Sequence, residues 1–171
     1  MYVILTDFFK NGSLERILKN ERNDIVPPEW NDTMRLIVIY GIASAISHLH
    51  SHCILHRDIK PSNVLIDDNL FPKVADFGFS SKSYKVLNDK IIGTYPFIAP
   101  EIFEKRKYSV KSDVYAFGML LYEMIAKKLP FENYDSYQIC YDVIHNKRPK
   151  IGKNVPKVYK KLIEACWHQD P

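Results

Sequence analysis

Glycine is scarce in this chain of 171 residues, and its spacing excludes one kind of site. The six glycines stand at positions 12, 41, 78, 93, 118 and 152. No two are close enough to make G-x-G, so no glycine-rich loop can wrap backbone N–H groups around a nucleotide's phosphates. Cysteine is scarcer: Cys53, Cys140 and Cys166 are odd in number, scattered, and form no C-x-x-C. That excludes a disulfide framework and suits a reducing, cytoplasmic setting. The longest apolar run, Val114 to Ala126, is interrupted only by Glu123 and falls short of the roughly 20 residues a membrane helix needs. The first seven residues, Met1 to Asp7, carry no basic region, so no signal peptide is expected. Charge of one sign is nearly absent as an excess: 24 Lys and Arg against 20 Asp and Glu leave a formal +4 spread along the chain. Without a basic arm, nucleic acid is not an expected partner, and neither is a membrane.

What remains is the composition of an ordinary globular domain, 46% hydrophobic and 26% charged. Residues 2–6 are β-branched and apolar, a short buried strand. Ser13 is a candidate cap for a helix through Lys19, and 20–31, with Pro27-Pro28, is a surface loop. Asp32 opens a long helix to about Ser51, with Leu36, Ile39, Ala43, Ile46 and His50 as its buried face. Between Ile54 and Ala75 short apolar pieces alternate with turn residues, and Asp67-Asp68-Asn69 connects a hairpin. Residues 79–95 are polar and read as an exposed loop. Ser109 caps a helix to about Lys127 that is apolar on every side and therefore central. Helices follow at about 136–146 and 156–167, and Tyr134, Tyr137 and Tyr141 are expected to pack in the core or a substrate groove. The fold class is α+β, mostly α.

The chemistry is concentrated in His56-Arg57-Asp58-Ile59-Lys60-Pro61-Ser62-Asn63, followed by Asp76-Phe77-Gly78, Ala99-Pro100-Glu101 and Ser112-Asp113. The first three are H-R-D-x-x-x-x-N, D-F-G and A-P-E, in that order. By these motifs the chain resembles the eukaryotic protein kinases. Lys60-Pro61-Ser62 and Gly93-Thr94 resemble the serine/threonine type. Cys166-Trp167 with Asp170-Pro171 resembles the tyrosine-kinase-like group of serine/threonine kinases. The resemblance implies a protein-kinase-like C-terminal lobe over 13–171, a hinge over 7–12, and the last strand of the N-terminal lobe over 1–6.

It also implies ATP and Mg²⁺ as cofactors, a protein as substrate, and an upstream activating kinase as a regulator. Phosphoryl transfer asks for hard oxygen ligands around Mg²⁺ and a group that orients the attacking hydroxyl. Asp76 and Asn63 would hold metal, Asp58 would accept the hydroxyl's proton, and Lys60 would set a positive charge near the transferred phosphate. Thr6, the gatekeeper position, Asp7, Phe8 and Leu65 would line the adenine site. His56, Phe77 and Gly78 would be architectural, and Asp113 would accept hydrogen bonds from the His56–Asp58 turn. Arg57 would need an anion, with Ser80, Ser81, Ser83, Tyr84 and Thr94 as phosphorylation candidates. Thr94 itself is expected to be structural, near Asp58.

The resemblance also sets expectations about what is missing. There is no V-A-I-K lysine ahead of the hinge, no helix-C glutamate, and no arginine after Pro171 to pair with Glu101. The chain therefore reads as part of a kinase, transferring phosphate weakly or not at all alone. The alternative is a non-catalytic kinase-like module that binds a client or scaffold.

Overall fold

The computed structural model describes residues 7–82 and 90–171. The strand expected at 2–6 and the candidate residues Thr6, Ser83 and Tyr84 lie outside them. Among the described residues, six helices carry the fold: α1 (Leu14–Glu21), α2 (Asp32–Ser51), α3 (Pro100–Lys105), α4 (Val110–Ala126), α5 (Ser136–Ile144) and α6 (Lys157–Cys166). The β component is small: β1 (Ile54–Leu55), β2 (Val64–Ile66), β3 (Pro72–Val74) and β4 (Ser81–Lys82) form two antiparallel pairs. In the β2–β3 hairpin, Val64 faces Val74 and Ile66 faces Pro72. In the other pair, Ile54 faces Lys82 and Leu55 faces Ser81.

α4 is the centre of the domain. Its start is a reciprocal cap: Ser109 Oγ accepts from Lys111 N–H at 3.1 Å, and Ser112 Oγ accepts from Ser109 N–H at 3.1 Å. It ends at Lys127 in the left-handed conformation (φ 55°). Met119, Leu120, Leu121 and Met124 are fully buried. A helix apolar all round must be surrounded, and α2 and α6 pack against it. α6 comes so close that a Cβ on Gly118 would sit 2.7 Å from Cys166 Cβ.

Ion pairs tie α1 to this scaffold. Arg35 of α2 grips Glu21 with two bonds of 2.8 Å, Lys127 adds a third contact at 3.0 Å, and Arg22 reaches Glu123 of α4 at 3.1 Å. Burial works against a charge on Glu21, but the Arg35 and Lys127 hydrogen bonds overcome it and hold the carboxyl below its ordinary range.

Three local expectations need correction. Leu36 is exposed, and the buried stripe of α2 runs through Arg35, Val38, Ile39, Ile42 and Ile46. Apolar residues on several faces of that helix left the stripe's phase to packing. The segment 79–95 is not loop throughout, because Ser81–Lys82 pairs with β1 and Tyr95–Phe97 forms a turn of 3₁₀ helix. Tyr134, Tyr137 and Tyr141 are not core residues, at 48%, 78% and 48% exposed; the groove half of that expectation is met by Tyr134, which lines a cleft with Lys60 and Thr94. α3 was not foreseen. It starts at Pro100, where proline's fixed φ suits a first helical position, and it closes on Arg106 at φ 53°.

Gly118→Ala should destabilise the chain by about 1–3 kcal/mol, the usual range for overpacking, because the α6 backbone as well as Cys166 Cβ blocks the added methyl. A drop in the urea midpoint at unchanged slope checks this.

Candidate active site

One buried carboxylate shapes the loop that carries the catalytic candidates. Asp113, in the first turn of α4 and 1% exposed, accepts from His56 N–H and from Arg57 N–H, each at 2.9 Å. His50 Nε2 lies 2.9 Å from the same carboxylate. Bonds to an ionised acceptor contribute about 1.5–3 kcal/mol each. That is enough to hold Arg57 in the left-handed region at φ 69°, where a long side chain costs about 1–3 kcal/mol. His56, fully buried, accepts from Asp58 N–H at Nδ1 (3.4 Å) and donates from Nε2 to Ala75 O (3.0 Å). The two contacts select the Nε2–H tautomer. The Phe77 ring sits 5.2 Å from the His56 ring.

The turned loop presents Asp58, 4% exposed, to three donors. Lys60 Nζ lies 2.7 Å from Oδ2, Asn63 Nδ2 donates to Oδ2 at 2.9 Å and also to Asp58 O, and Thr94 Oγ donates to Oδ1 at 3.0 Å. Lys60 Nζ also donates to Thr94 Oγ at 2.8 Å. Asp58, Lys60, Asn63 and Thr94 are therefore one connected cluster. Thr94 arrives there because Gly93, at φ +118°, crosses Arg57 where a Cβ would be 3.1 Å from Arg57 O.

Asp76 is placed through its neighbour. Ala75 N–H donates to Asn63 O at 2.8 Å, and the chain then turns left-handed at Asp76 (φ 61°). The exposed Asp76 carboxylate accepts from Gly78 N–H at 3.2 Å, and it makes no hydrogen bond to Asp58 or Asn63 among the described residues. A carboxylate with open lone pairs and an amide oxygen whose NH₂ points away are hard donors of the kind Mg²⁺ takes. Asp76 and Asn63 Oδ1 are donors of that kind, while no cluster of three or more His, Cys, Asp or Glu placed to hold a metal occurs among the described residues.

Arg57 lies over the Tyr108 ring at 5.4 Å and donates from Nε to Phe79 O. Its Nη1 is buried without a partner among the described residues, and burial holds the guanidinium below its ordinary range. Tyr108 clamps the loop in turn: its hydroxyl accepts from Ile92 N–H at 2.6 Å and donates to Ile92 O at 3.0 Å. Of the phosphorylation candidates, Ser80 is half-buried with Oγ 3.4 Å from His56 O, Ser81 Oγ is buried, and the Thr94 hydroxyl is engaged with Asp58 and Lys60. A phosphate on Thr94 would stand against the Asp58 carboxylate, a like-charge clash.

The hinge candidates Asp7 and Phe8 are exposed. The segment after them is tied to β2 by Ile66 N–H donating to Gly12 O (2.9 Å) and by a bridge between Ser13 and Leu65. Beside the Asp58 cluster lies a cleft of about 540 Å³ that Lys60, Ser62, Thr94, Phe97, Phe131 and Tyr134 help to line. Glu101 is buried and makes no ion pair among the described residues, and desolvation raises its pKa. The Tyr115 hydroxyl, also unpartnered, is pushed up for the same reason.

His50 and Tyr108 escaped the sequence reading as functional residues. In the linear chain His50 falls in an apolar stripe, and Tyr108 simply precedes a helix cap. Neither role has a linear signal, since each partner lies on another element.

The protein kinase domain family matches the chain over residues 1–171. A serine/threonine-protein kinase/receptor of Acanthamoeba polyphaga mimivirus is 36% identical over 170 residues, 98% of this chain and 10% of that relative. A LIM domain-containing serine/threonine-protein kinase of Dictyostelium discoideum is 37% identical over 171 residues, 98% of the chain and 25% of the relative. An RGS domain-containing serine/threonine-protein kinase of the same organism is 35% identical over 170 residues, 99% of the chain and 15% of the relative. The chain spans a quarter or less of the length of these relatives.

A raised carboxyl pKa means that the folded state holds the Glu101 proton more tightly than the unfolded chain does. The stability this gives is full below the ordinary value of about 4.3 and is lost as pH rises through the raised one. Glu101→Gln should therefore be more stable than the parent at neutral pH, with the difference shrinking in acid. Urea midpoints of both proteins across that range measure it.

Proposed function

The chain belongs to the protein kinase domain family and is related to serine/threonine kinases; from that premise we propose that it is the helical, C-terminal lobe portion of such a kinase. In this reading residues 7–12 are the hinge, 13–171 the lobe and 1–6 the last strand of the other lobe. The tyrosine-kinase-like group, and a cytoplasmic setting suited to three unpaired cysteines, complete the assignment.

The reaction is transfer of the ATP γ-phosphate to a serine or threonine hydroxyl of a protein. The hydroxyl oxygen bonds to the γ-phosphorus, the bond to the β–γ bridging oxygen breaks, ADP leaves, and the hydroxyl proton passes to the Asp58 carboxylate. One observation carries this reading: the Thr94 hydroxyl already donates to Asp58 Oδ1 at 3.0 Å while Lys60 bonds to both. The cluster thus holds an alcohol beside a carboxylate and a cation, as the acceptor hydroxyl and the transferred phosphate require. Lys60 would steady the charge on the moving phosphoryl oxygens, and Asn63 holds Asp58 in orientation. Mg²⁺ held by Asp76 and Asn63 would neutralise charge on the phosphates. Asp7 and Phe8 would offer backbone groups to adenine, over an apolar floor that includes Leu65. The cleft of about 540 Å³ would seat the protein substrate.

Regulation follows from Arg57. Its unpartnered Nη1 would take a phosphate placed on the 79–95 segment by an upstream kinase, and the engaged Thr94 hydroxyl turns the choice toward Ser80, Ser81, Ser83 and Tyr84. A phosphopeptide map of active protein should show modification among these four. A blank map between 79 and 95 removes the idea.

No pair of glycines in the chain makes a phosphate-wrapping loop, so transfer by the chain alone should be weak. This same absence favours the second reading, a kinase-like module that only binds a client. Transfer of labelled γ-phosphate from ATP to a serine/threonine peptide separates the two. A trace rate that Asp58→Asn lowers by about 100-fold or more, the usual reach of general acid–base catalysis, supports the enzyme. No transfer that depends on Asp58 leaves the binding module.

A further inference from the structure

The segment after α4 is a strained ridge between two cavities. Lys127, Phe131 and Asn133 are all left-handed, at φ 55°, 54° and 66°. For a bulky residue such as Phe131 that conformation persists only where surrounding structure enforces it, and such strain gathers at ligand-binding sites. The Phe131 ring is 9% exposed and lies 5.9 Å from the Tyr134 ring. Leu129, Phe131, Glu132 and Tyr134 face both cavities: the cleft beside Lys60 and Thr94, and an outer cavity of about 500 Å³ toward α5.

The two cavities differ in charge. The cleft is lined by Glu15, Glu123 and Glu132 against Lys60, whereas the outer cavity has Lys128, Lys147, Arg148 and Lys150 against Glu132 and Asp142. Two of those four cations are occupied. Arg148 donates to the carbonyls of Val143, Lys147 and Trp167 and to Gln169 Oε1, and Lys147 pairs with Asp142 at 2.8 Å. Lys128 and Lys150 are exposed and make no ion pair among the described residues. The floor is apolar, with Tyr122 3% exposed. Two unpaired ammonium groups in one cavity lining with Tyr122, Phe131 and Tyr134 match a ligand that carries carboxylates beside an apolar side chain.

We propose that this outer cavity docks an acidic, aromatic-containing segment of the protein substrate, which continues over the 129–134 ridge from the cleft beside Asp58. The proposal rests on the kinase reading for the identity of its occupant. The shared ridge supplies the continuity, and the charge difference places the acidic stretch in the outer cavity rather than in the cleft. Lys128 and Lys150 select the acidic segment, while Phe131 and Tyr134 receive its aromatic side chain.

Fluorescence anisotropy with the whole chain and the labelled peptide Glu-Glu-Glu-Phe-Glu-Glu tests this at physiological ionic strength. The peptide should bind more tightly than its Lys-Lys-Lys-Phe-Lys-Lys counterpart. The double variant Lys128→Glu/Lys150→Glu should weaken it about tenfold, in line with loss of two charge-assisted contacts. Lys105→Glu/Lys107→Glu, exposed lysines outside the cavity, applies the same change in net charge and should leave binding unaltered. Equal binding by parent and the cavity variant, or equal weakening by both variants, overturns the proposal. So does sedimentation showing a dimer that the cavity variant abolishes, which would assign the face to a second copy of the chain. Asp58→Asn should retain the binding pattern. If that pattern holds while no transfer depends on Asp58, the phosphotransfer reading fails and the docking surface stands. If transfer depends on Asp58 but the acidic peptide does not bind, the docking proposal alone fails.

Discussion

The Asp113 carboxylate sits where the scaffold meets the site. It belongs to the central helix α4, yet its oxygens are used by the backbone of the loop that carries Asp58 and by His50 of α2. A buried carboxylate is tolerated only if its lone pairs are filled. The two loop N–H groups, for their part, would be orphaned without it. Each side's need is met only when the loop adopts the turn that puts Arg57 at positive φ, so the energetic demand of the core specifies the conformation of the site. Asp58, Asn63 and Thr94 take their places as consequences of that turn.

The site is assembled by backbone as much as by side chains. Arg57 and Asp76 both occupy the left-handed region, and both flank hydrogen bonds that cross between segments: His56 to Ala75, and Ala75 to Asn63. Such strain is affordable here because the loop is braced from below by α4, whose faces are almost wholly enclosed. The Asp58 cluster shows the complementary principle. Lys60 pairs with its carboxylate and Asn63 and Thr94 donate to it, which holds a nearly buried side chain in one orientation.

Four buried polar atoms have no hydrogen-bond partner among the described residues: Trp30 Nε1, Arg57 Nη1, Ser81 Oγ and the Tyr115 hydroxyl. Arg57 Nη1 belongs to the side chain that Phe79 O holds through Nε, and the Tyr115 hydroxyl is on α4. Each costs stability as it stands. The Arg57 atom matches a place where an added phosphate would be rewarded. Burial raises the pKa of both Glu101 and Tyr115, and the positive charge of Arg148, 5.1 Å over the Tyr115 ring, opposes that shift in each.

Local chemistry was enough to read α2 from Asp32 to Ser51, the Ser109 cap of α4 and the hairpin around Asp67, because caps, turns and apolar runs act over a few residues. The ordered motifs around Asp58, Asp76 and Glu101 likewise marked the family from the linear chain alone. What linear order could not supply was phase and partnership. The buried stripe of α2 depended on which of several apolar faces met α4, and α3 and β4 arose from what they pack or pair with. His50 and Tyr108 acquire their roles only through groups 63 and 16 residues away. The contrast between the two cavities across the Phe131 ridge is of the same kind. Individual residues carry their chemistry in their own covalent structure, but burial, hydrogen-bond partners and the summed field of neighbouring charges exist only once distant segments are brought together.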